Sequence, residues 1–126
     1  AKFTQNLYYN TGNNTACYNG NISSMTWKSG TESATRGYKF TYDNLNRMKN
    51  AVYGEGATIS ANAGRFSENI TGYDRNGNIT SLQRYGKSSG TAYGIIDNLT
   101  IAYTGNQLKY ANDAATDPLY NGAFIF

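Results

Sequence analysis

Apolar and polar residues alternate with a period of two in several stretches of the chain. The pattern is clearest at 38–43, which reads Tyr-Lys-Phe-Thr-Tyr-Asp, and at 99–104, which reads Leu-Thr-Ile-Ala-Tyr-Thr. Successive side chains of a β-strand point to opposite faces of its sheet, so this period predicts strands with one apolar face.

One stretch breaks the alternation. Phe66 and Ile70 are out of phase with Tyr73, although the surrounding residues favour a strand. A β-bulge at Gly72 would restore the phase, because one extra residue exchanges the two faces of a strand. We therefore predict a bulge at this glycine.

Four segments follow one plan: a tyrosine, a short turn sequence rich in Asn and Gly, and then an apolar residue. Their lead tyrosines are 24, 31 and 30 residues apart, intervals within the range of repeat proteins. Each segment is typical of a β-hairpin, so hairpin turns are predicted near residues 19–20, 44–45, 75–76 and 104–105. The residues that define these units are Tyr18, Gly20, Asn21, Tyr42, Asp43, Asn46, Tyr73, Asp74, Gly77, Asn78, Tyr103, Gly105 and Asn106.

The third segment has the clearest turn chemistry. Asp74 can accept a hydrogen bond from the backbone N–H two residues on, and Gly77 can adopt the left-handed conformation that closes the turn. The second segment repeats this plan with Asp43, and Asn46 stands where the third has Gly77. Asn tolerates a positive φ better than most residues. We expect both aspartates to brace their turns and the four lead tyrosines to stack along the sheet.

Composition agrees with a β-fold. The chain has 126 residues, enough for one domain with one core. Leu, Ile, Val and Phe account for only 20 residues, but 12 tyrosines supply apolar area, and prolines are rare. The predicted fold is all-β, an antiparallel meander of consecutive β-hairpin repeats forming a single domain over residues 1–126.

Composition also excludes most site chemistry. The chain has no histidine and only Cys17 as a cysteine, which rules out histidine triads, an internal disulfide and Cys/His metal clusters, so no cofactor or metal is predicted. The net charge is +3, but the basic residues are dispersed, so nucleic acid is not an expected partner. No apolar run reaches the roughly 18 residues of a membrane span.

The repeat residues carry a family resemblance. The stretch 73–82, Tyr-Asp-Arg-Asn-Gly-Asn-Ile-Thr-Ser-Leu, closely resembles the YD repeat of bacterial RHS and wall-associated proteins, and 42–48 resembles a second copy. The segments at Tyr18 and Tyr103 retain the tyrosine and Gly-Asn but lack the aspartate. The resemblance covers about residues 16 to 110. It implies a curved sheet, part of a hollow β-shell around another polypeptide, often a toxin domain, in an exported or cell-surface protein.

Two kinds of function are consistent with these residues. The first is a non-catalytic structural module, partnered by other repeats of a longer parent chain or by an encapsulated polypeptide. The alternative is glycan binding through exposed aromatics, with Trp27, Tyr53 and Tyr85 as candidate contacts. A catalytic carboxylate pair at Asp113 and Asp117 is a weaker idea, because loop acids are usually solvated.

The last residues form an apolar stretch, 119–126, that resembles the first strand of a further repeat. A strand without a partner exposes unpaired backbone groups. We therefore expect the chain to self-associate through its sheet edges, or to cover one edge with this tail.

Overall fold

The computed structural model describes residues 2–115, so the tail at 119–126 and Asp117 lie outside the described residues. Eight strands occur, and no α-helix is present in 2–115. Each strand pairs antiparallel with a neighbour in sequence, so the all-β meander is confirmed. The strands are β1 (Phe3–Tyr8), β2 (Ser24–Ser29), β3 (Arg36–Tyr42), β4 (Met48–Glu55), β5 (Glu68–Tyr73), β6 (Ile79–Lys87), β7 (Tyr93–Thr104) and β8 (Gln107–Asp113).

The described residues divide into two compact units, one up to residue 64 with β1 to β4 and one from residue 65 with β5 to β8. In the first unit, one sheet face is aromatic. Trp27 stacks on Tyr38 with ring centres 5.5 Å apart, and Tyr38 meets the edge of Tyr53 at 5.7 Å. Tyr53 is only 2% exposed, so these rings form the core of this face.

The opposite face of the first unit is covered by a loop. Ile59, which is buried, packs on the strands at Gly37 and Gly54. A Cβ atom at Gly54 would overlap the Ile59 backbone carbonyl, so glycine is needed there for this close approach. Gly37 in β3 and Gly54 in β4 thus leave space for the loop that carries Ile59.

The first repeat segment does not form a hairpin turn, so the turn predicted near residues 19–20 is wrong. Residues 9–23 form one long connection between β1 and β2, and Gly20, with φ +90°, lies in a bend inside it. The connection is held by Cys17 N–H donating to the Tyr9 carbonyl at 2.7 Å. The polar stretch before this bend has no period-two alternation, so no strand leads into it.

Hairpin turns occupy the other three segments. Residues 43–47 join β3 to β4, and residues 74–78 join β5 to β6. The last turn is a two-residue loop formed by Gly105 and Asn106, one residue later than the predicted centre. Gly105 has φ +59°, the left-handed conformation that such tight loops require.

A bulge recurs beside each of these turns. The strand register shifts on both sides of Gly72: Thr71 is an extra residue in β5, which confirms the bulge predicted at this glycine, and Thr80 is an extra residue in β6. A shift of the second kind, with the extra residue in the strand that follows the turn, also occurs opposite Tyr42 and Tyr103, where the alternation gave no sign of it. In all three hairpins the lead tyrosine therefore lies opposite the first apolar residue after the turn, namely Met48, Ile79 or Leu108.

The second unit contains a buried ion pair. Asp97 in β7 is fully buried, and Arg84 in β6 donates to its carboxylate at 2.7 Å. Glu68 in β5 lies 3.4 Å from the same guanidinium. The three residues are direct cross-strand neighbours, so the charges join β5, β6 and β7.

Removing one member of this pair should be costly. Arg84→Met leaves the Asp97 carboxylate without this counter-charge, and we expect the free energy of unfolding to fall by about 3 to 5 kcal/mol. The double variant Arg84→Met with Asp97→Leu should recover much of that loss, because no buried charge remains. Chemical denaturation of the parent and both variants measures this, and a double variant less stable than Arg84→Met would contradict it.

Candidate functional site

The two aspartate turns have the same geometry. One carboxylate oxygen of Asp43 accepts from the N–H of Leu45 at 2.8 Å and of Arg47 at 3.0 Å. In the next hairpin, one oxygen of Asp74 accepts from the N–H of Asn76 at 2.8 Å and of Asn78 at 2.9 Å. Each aspartate thus braces its turn by holding the backbone two and four residues on.

The second carboxylate oxygen is held by the side chain four residues on. Arg47 Nε lies 2.7 Å from Asp43, and Asn78 Nδ2 donates to Asp74 at 3.0 Å. Arg47 and Asn78 therefore have the same role, which is to hold the second carboxylate oxygen of the aspartate.

A left-handed residue closes both turns. Asn46 has φ +61° and Gly77 has φ +82°, and the N–H of each donates to the aspartate's own carbonyl at 3.1 Å. Asn46 therefore takes the place of Gly77, as the sequence predicts.

These hydrogen bonds favour the ionised carboxylates. The N–H of Arg47, assisted by its guanidinium, lowers the pKa of Asp43. For Asp74, partial burial opposes ionisation, but the hydrogen bonds from Asn78 and Asn76 outweigh it and lower the pKa. Both turns are therefore best held when the aspartates are charged.

Side-chain amides connect neighbouring repeat segments. In the first unit, Asn19 and Asn21 both donate to Asn46 Oδ1, at 2.9 and 3.2 Å. In the second unit, Asn78 donates to Asn106 Oδ1 at 3.0 Å and to the Gly105 carbonyl at 3.3 Å. Each turn is thus tied to the turn of the adjacent segment.

The lead tyrosines make a second connection of this kind. The Tyr42 hydroxyl donates to the Ile22 carbonyl at 2.7 Å, and the Tyr103 hydroxyl donates to the Ile79 carbonyl at 2.8 Å. In both cases the acceptor is the apolar position that follows Gly-Asn in the preceding segment. We call these amide and hydroxyl contacts between adjacent segments the turn clasp. Tyr18 lies outside it and is 84% exposed, so the prediction that the lead tyrosines stack along the sheet is wrong for Tyr18.

A cleft of about 630 Å³ lies beside the clasp of the first unit. Phe40 and Tyr42 line it, and Tyr18 stands exposed among its other lining residues. The Tyr18 hydroxyl, Asn21 Oδ1 and the Asn46 amide nitrogen have no hydrogen-bond partner in residues 2–115. Sequence reasoning missed this cleft, because it depends on how the 9–23 connection folds against β3. The lining residues are Thr15, Ala16, Cys17, Tyr18, Asn19, Asn21, Phe40, Thr41, Tyr42, Asp43 and Asn46.

The three aromatic residues suggested for glycan contact have different surroundings. Tyr53 is buried and donates to Glu55 at 2.8 Å, and burial with this hydrogen bond raises its pKa. Trp27 is half-buried, and its ring packs against Tyr38 and Tyr53. Tyr85 is half-buried in β6 of the other unit. Tyr53 has too little accessible surface to stack on a sugar.

Other candidate chemistry is limited in the described part of the chain. Cys17 is a free, half-buried thiol in the cleft. Asp113 is used structurally, since its carboxylate accepts from the N–H of Asn98 and of Ala115, both at 2.8 Å. Residues 2–115 contain no group of three or more acidic or cysteine side chains placed to hold a metal ion. Nor does any helix in this range have the length and apolarity to cross a membrane.

Comparison with known proteins finds no matching family model, no matching curated protein and no matching solved structure.

The aspartate turns predict a pH dependence. Since the folded-state pKa of Asp74 is lowered, its stabilisation is complete above the ordinary Asp pKa of about 3.9 and is lost as the pH falls through the folded-state value. Asp74→Asn should therefore lower the melting temperature near neutral pH, and the difference from the parent should shrink on acidification. Thermal unfolding monitored by circular dichroism measures this.

Glu32→Gln is the control, because it removes one surface carboxylate away from the turns. It should leave the melting temperature nearly unchanged near neutral pH. A difference between Asp74→Asn and parent that is the same at every pH would contradict the role of the charged carboxylate.

Proposed function

We propose that this chain is a non-catalytic structural module of a secreted or cell-surface protein of the YD-repeat kind. The turn clasp is the observation that carries this proposal. The residues that define the repeats use their polar groups on their own turns and on the adjacent segment, as a stacking repeat requires. Such a module serves as a piece of a β-scaffold around another polypeptide.

The edges of the units are suited to further stacking. In the described residues, β1 pairs with β2 and β8 pairs with β7, and neither strand has a second partner. Both strands are mostly exposed and carry apolar side chains, including Leu7 on β1 and Leu108 on β8. A long exposed strand with apolar residues is a template for pairing with another chain. We propose that β1 and β8 accept further copies of the repeat, including a second copy of this chain.

Self-association should depend on these edges. We expect the average mass of the parent in solution to rise with concentration. A lysine on an edge strand discourages pairing, so Leu7→Lys and Leu108→Lys should each shift the protein towards monomer. Light scattering coupled to size exclusion measures the mass.

Leu45→Lys is the matched control, because Leu45 is 71% exposed but lies in a turn away from both edges. It should associate like the parent. A parent that stays monomeric at every concentration, or a Leu45→Lys variant weakened as much as the edge variants, would contradict the proposal.

Glycan binding is a second candidate function, and the cleft favours it at residues other than those first suggested. Tyr18 offers an exposed ring face, and sugar rings pack on such faces. Asn21 and Asn46 supply an unpaired acceptor and an unpaired donor nearby, suited to sugar hydroxyls. The cleft volume lies within the usual range of ligand sites, about 300 to 1,000 Å³.

Tyr18→Ala tests this candidate, since an exposed side chain can be removed with little effect on folding. If the cleft binds glycans, the variant should lose binding on a glycan array while its circular dichroism spectrum and melting temperature stay like those of the parent. Tyr9→Ala is the control, because Tyr9 is also exposed but does not line the cleft. Absence of binding by the parent would eliminate the candidate.

A further inference from the structure

Asn-Gly is the dipeptide most open to spontaneous deamidation, because glycine leaves its backbone nitrogen free to approach the asparagine side chain. The sequence contains this dipeptide at 19–20, 76–77 and 121–122. The last lies outside the described residues. The other two occupy similar positions in their repeat segments, so the structure allows a comparison between them.

The two sites share the same backbone freedom. Gly20 and Gly77 have φ +90° and +82°, and a Cβ atom placed on either glycine would contact nothing within 4 Å. Neither glycine is therefore crowded on its Cβ side. What differs between them is the asparagine side chain.

The Asn19 amide is held at both ends. Its Oδ1 accepts from the Asn21 N–H at 3.1 Å, and its Nδ2 donates to Asn46 Oδ1 at 2.9 Å. To present its carbonyl carbon to the Gly20 nitrogen, the side chain must give up both hydrogen bonds. The clasp of the first unit thus restrains this amide.

The Asn76 amide is not restrained in this way. Asn76 is exposed, and its side chain has no hydrogen bond in the described residues; only its backbone N–H is used, by Asp74. The Gly77 N–H donates to the Asp74 carbonyl at 3.1 Å, so this single bond must open before the nitrogen can react.

We propose that Asn76 is a site of spontaneous deamidation and isomerisation, and that its conversion opens the Asp74 turn. A hydroxide ion removes the Gly77 N–H proton and becomes water. The Gly77 nitrogen then attacks Asn76 Cγ, a new C–N bond forms, the bond from Cγ to the side-chain nitrogen breaks, and that nitrogen leaves as ammonia with a proton from water. Water then adds across one of the two C–N bonds of the resulting succinimide. The products are aspartate or isoaspartate at position 76, with no net oxidation or reduction.

Isoaspartate has a structural consequence. It routes the main chain through the side-chain carbon and so adds one methylene between residues 76 and 77. In the unmodified protein, Asp74 Oδ1 accepts from the N–H of residue 76 at 2.8 Å and from the N–H of Asn78 at 2.9 Å. With the longer main chain between these two groups, the oxygen cannot keep both hydrogen bonds. The new carboxylate also adds a negative charge beside Asp74, which opposes its ionised form.

The test follows both asparagines in the folded full chain incubated at mildly alkaline pH. Trypsin cleaves after Arg75 and Arg84, so Asn76 is recovered in peptide 76–84, and Asn19 is recovered in peptide 3–28. Mass spectrometry then measures the conversion of amide to acid in each. Because Asn19 must break one more hydrogen bond than Asn76, we expect Asn76 to react faster by roughly fivefold to tenfold. In urea, the two rates should become similar.

Asn46→Gly is the matched variant. It removes the acceptor that holds Asn19 Nδ2 and keeps a residue suited to positive φ, as Gly77 is in the equivalent turn. It should raise the rate at Asn19 and leave the rate at Asn76 unchanged. Equal rates in the folded parent, or an Asn19 rate unaffected by this variant, would overturn the proposal.

The consequence for the turn has its own readout. The melting temperature of the parent should fall as isoaspartate accumulates, whereas Asn76→Leu should show no such fall, since Leu45 occupies the equivalent position in the second segment. An aged parent that holds isoaspartate at position 76 and keeps its original melting temperature would refute the opening of the turn.

Discussion

A reversal of the chain leaves backbone N–H groups without strand partners, and each of them must find an acceptor. In two hairpins of this protein, one carboxylate oxygen accepts two such groups, at the second and fourth residues after Asp43 and Asp74. One atom therefore fixes the whole turn. The same bulge and the same placement of the lead tyrosine also occur at the last hairpin, whose two-residue turn has no aspartate, so they belong to the hairpins in general.

The two turns reach this state with different side chains, and the difference decides how each is joined to its neighbour. Asn78 has a second amide N–H after contacting Asp74, and it uses that group on the last turn. Arg47 holds Asp43 instead, and in that segment the joining is done by Asn46, whose oxygen accepts from the preceding segment. Both units therefore have an amide hydrogen bond between adjacent segments, but Asn46 makes it in the first unit and Asn78 makes it in the second.

Much of the fold could be predicted from local pattern, because alternation and turn chemistry act over a few residues. The aspartate turns and the bulge at Gly72 belong to this part. The hairpin turn predicted at residues 19–20 does not form, since a turn sequence without flanking alternation does not make a hairpin. The cleft beside Tyr18 and the ion pair of Arg84 with Asp97 could not be foreseen, because they join segments distant in sequence.

The turn clasp also bears on how the protein unfolds. Tyr103 belongs to β7, and its hydroxyl donates a hydrogen bond to the Ile79 carbonyl in the preceding segment. Loss of one segment therefore removes a bond from the next, which is nearest-neighbour coupling in the sense of a one-dimensional Ising chain. The clasp joins the first segment to the second and the third to the fourth, so we expect the two members of each pair to melt together rather than one by one. Amide hydrogen exchange in residues joined by the clasp is accordingly governed by concerted opening rather than by fraying of single hairpins.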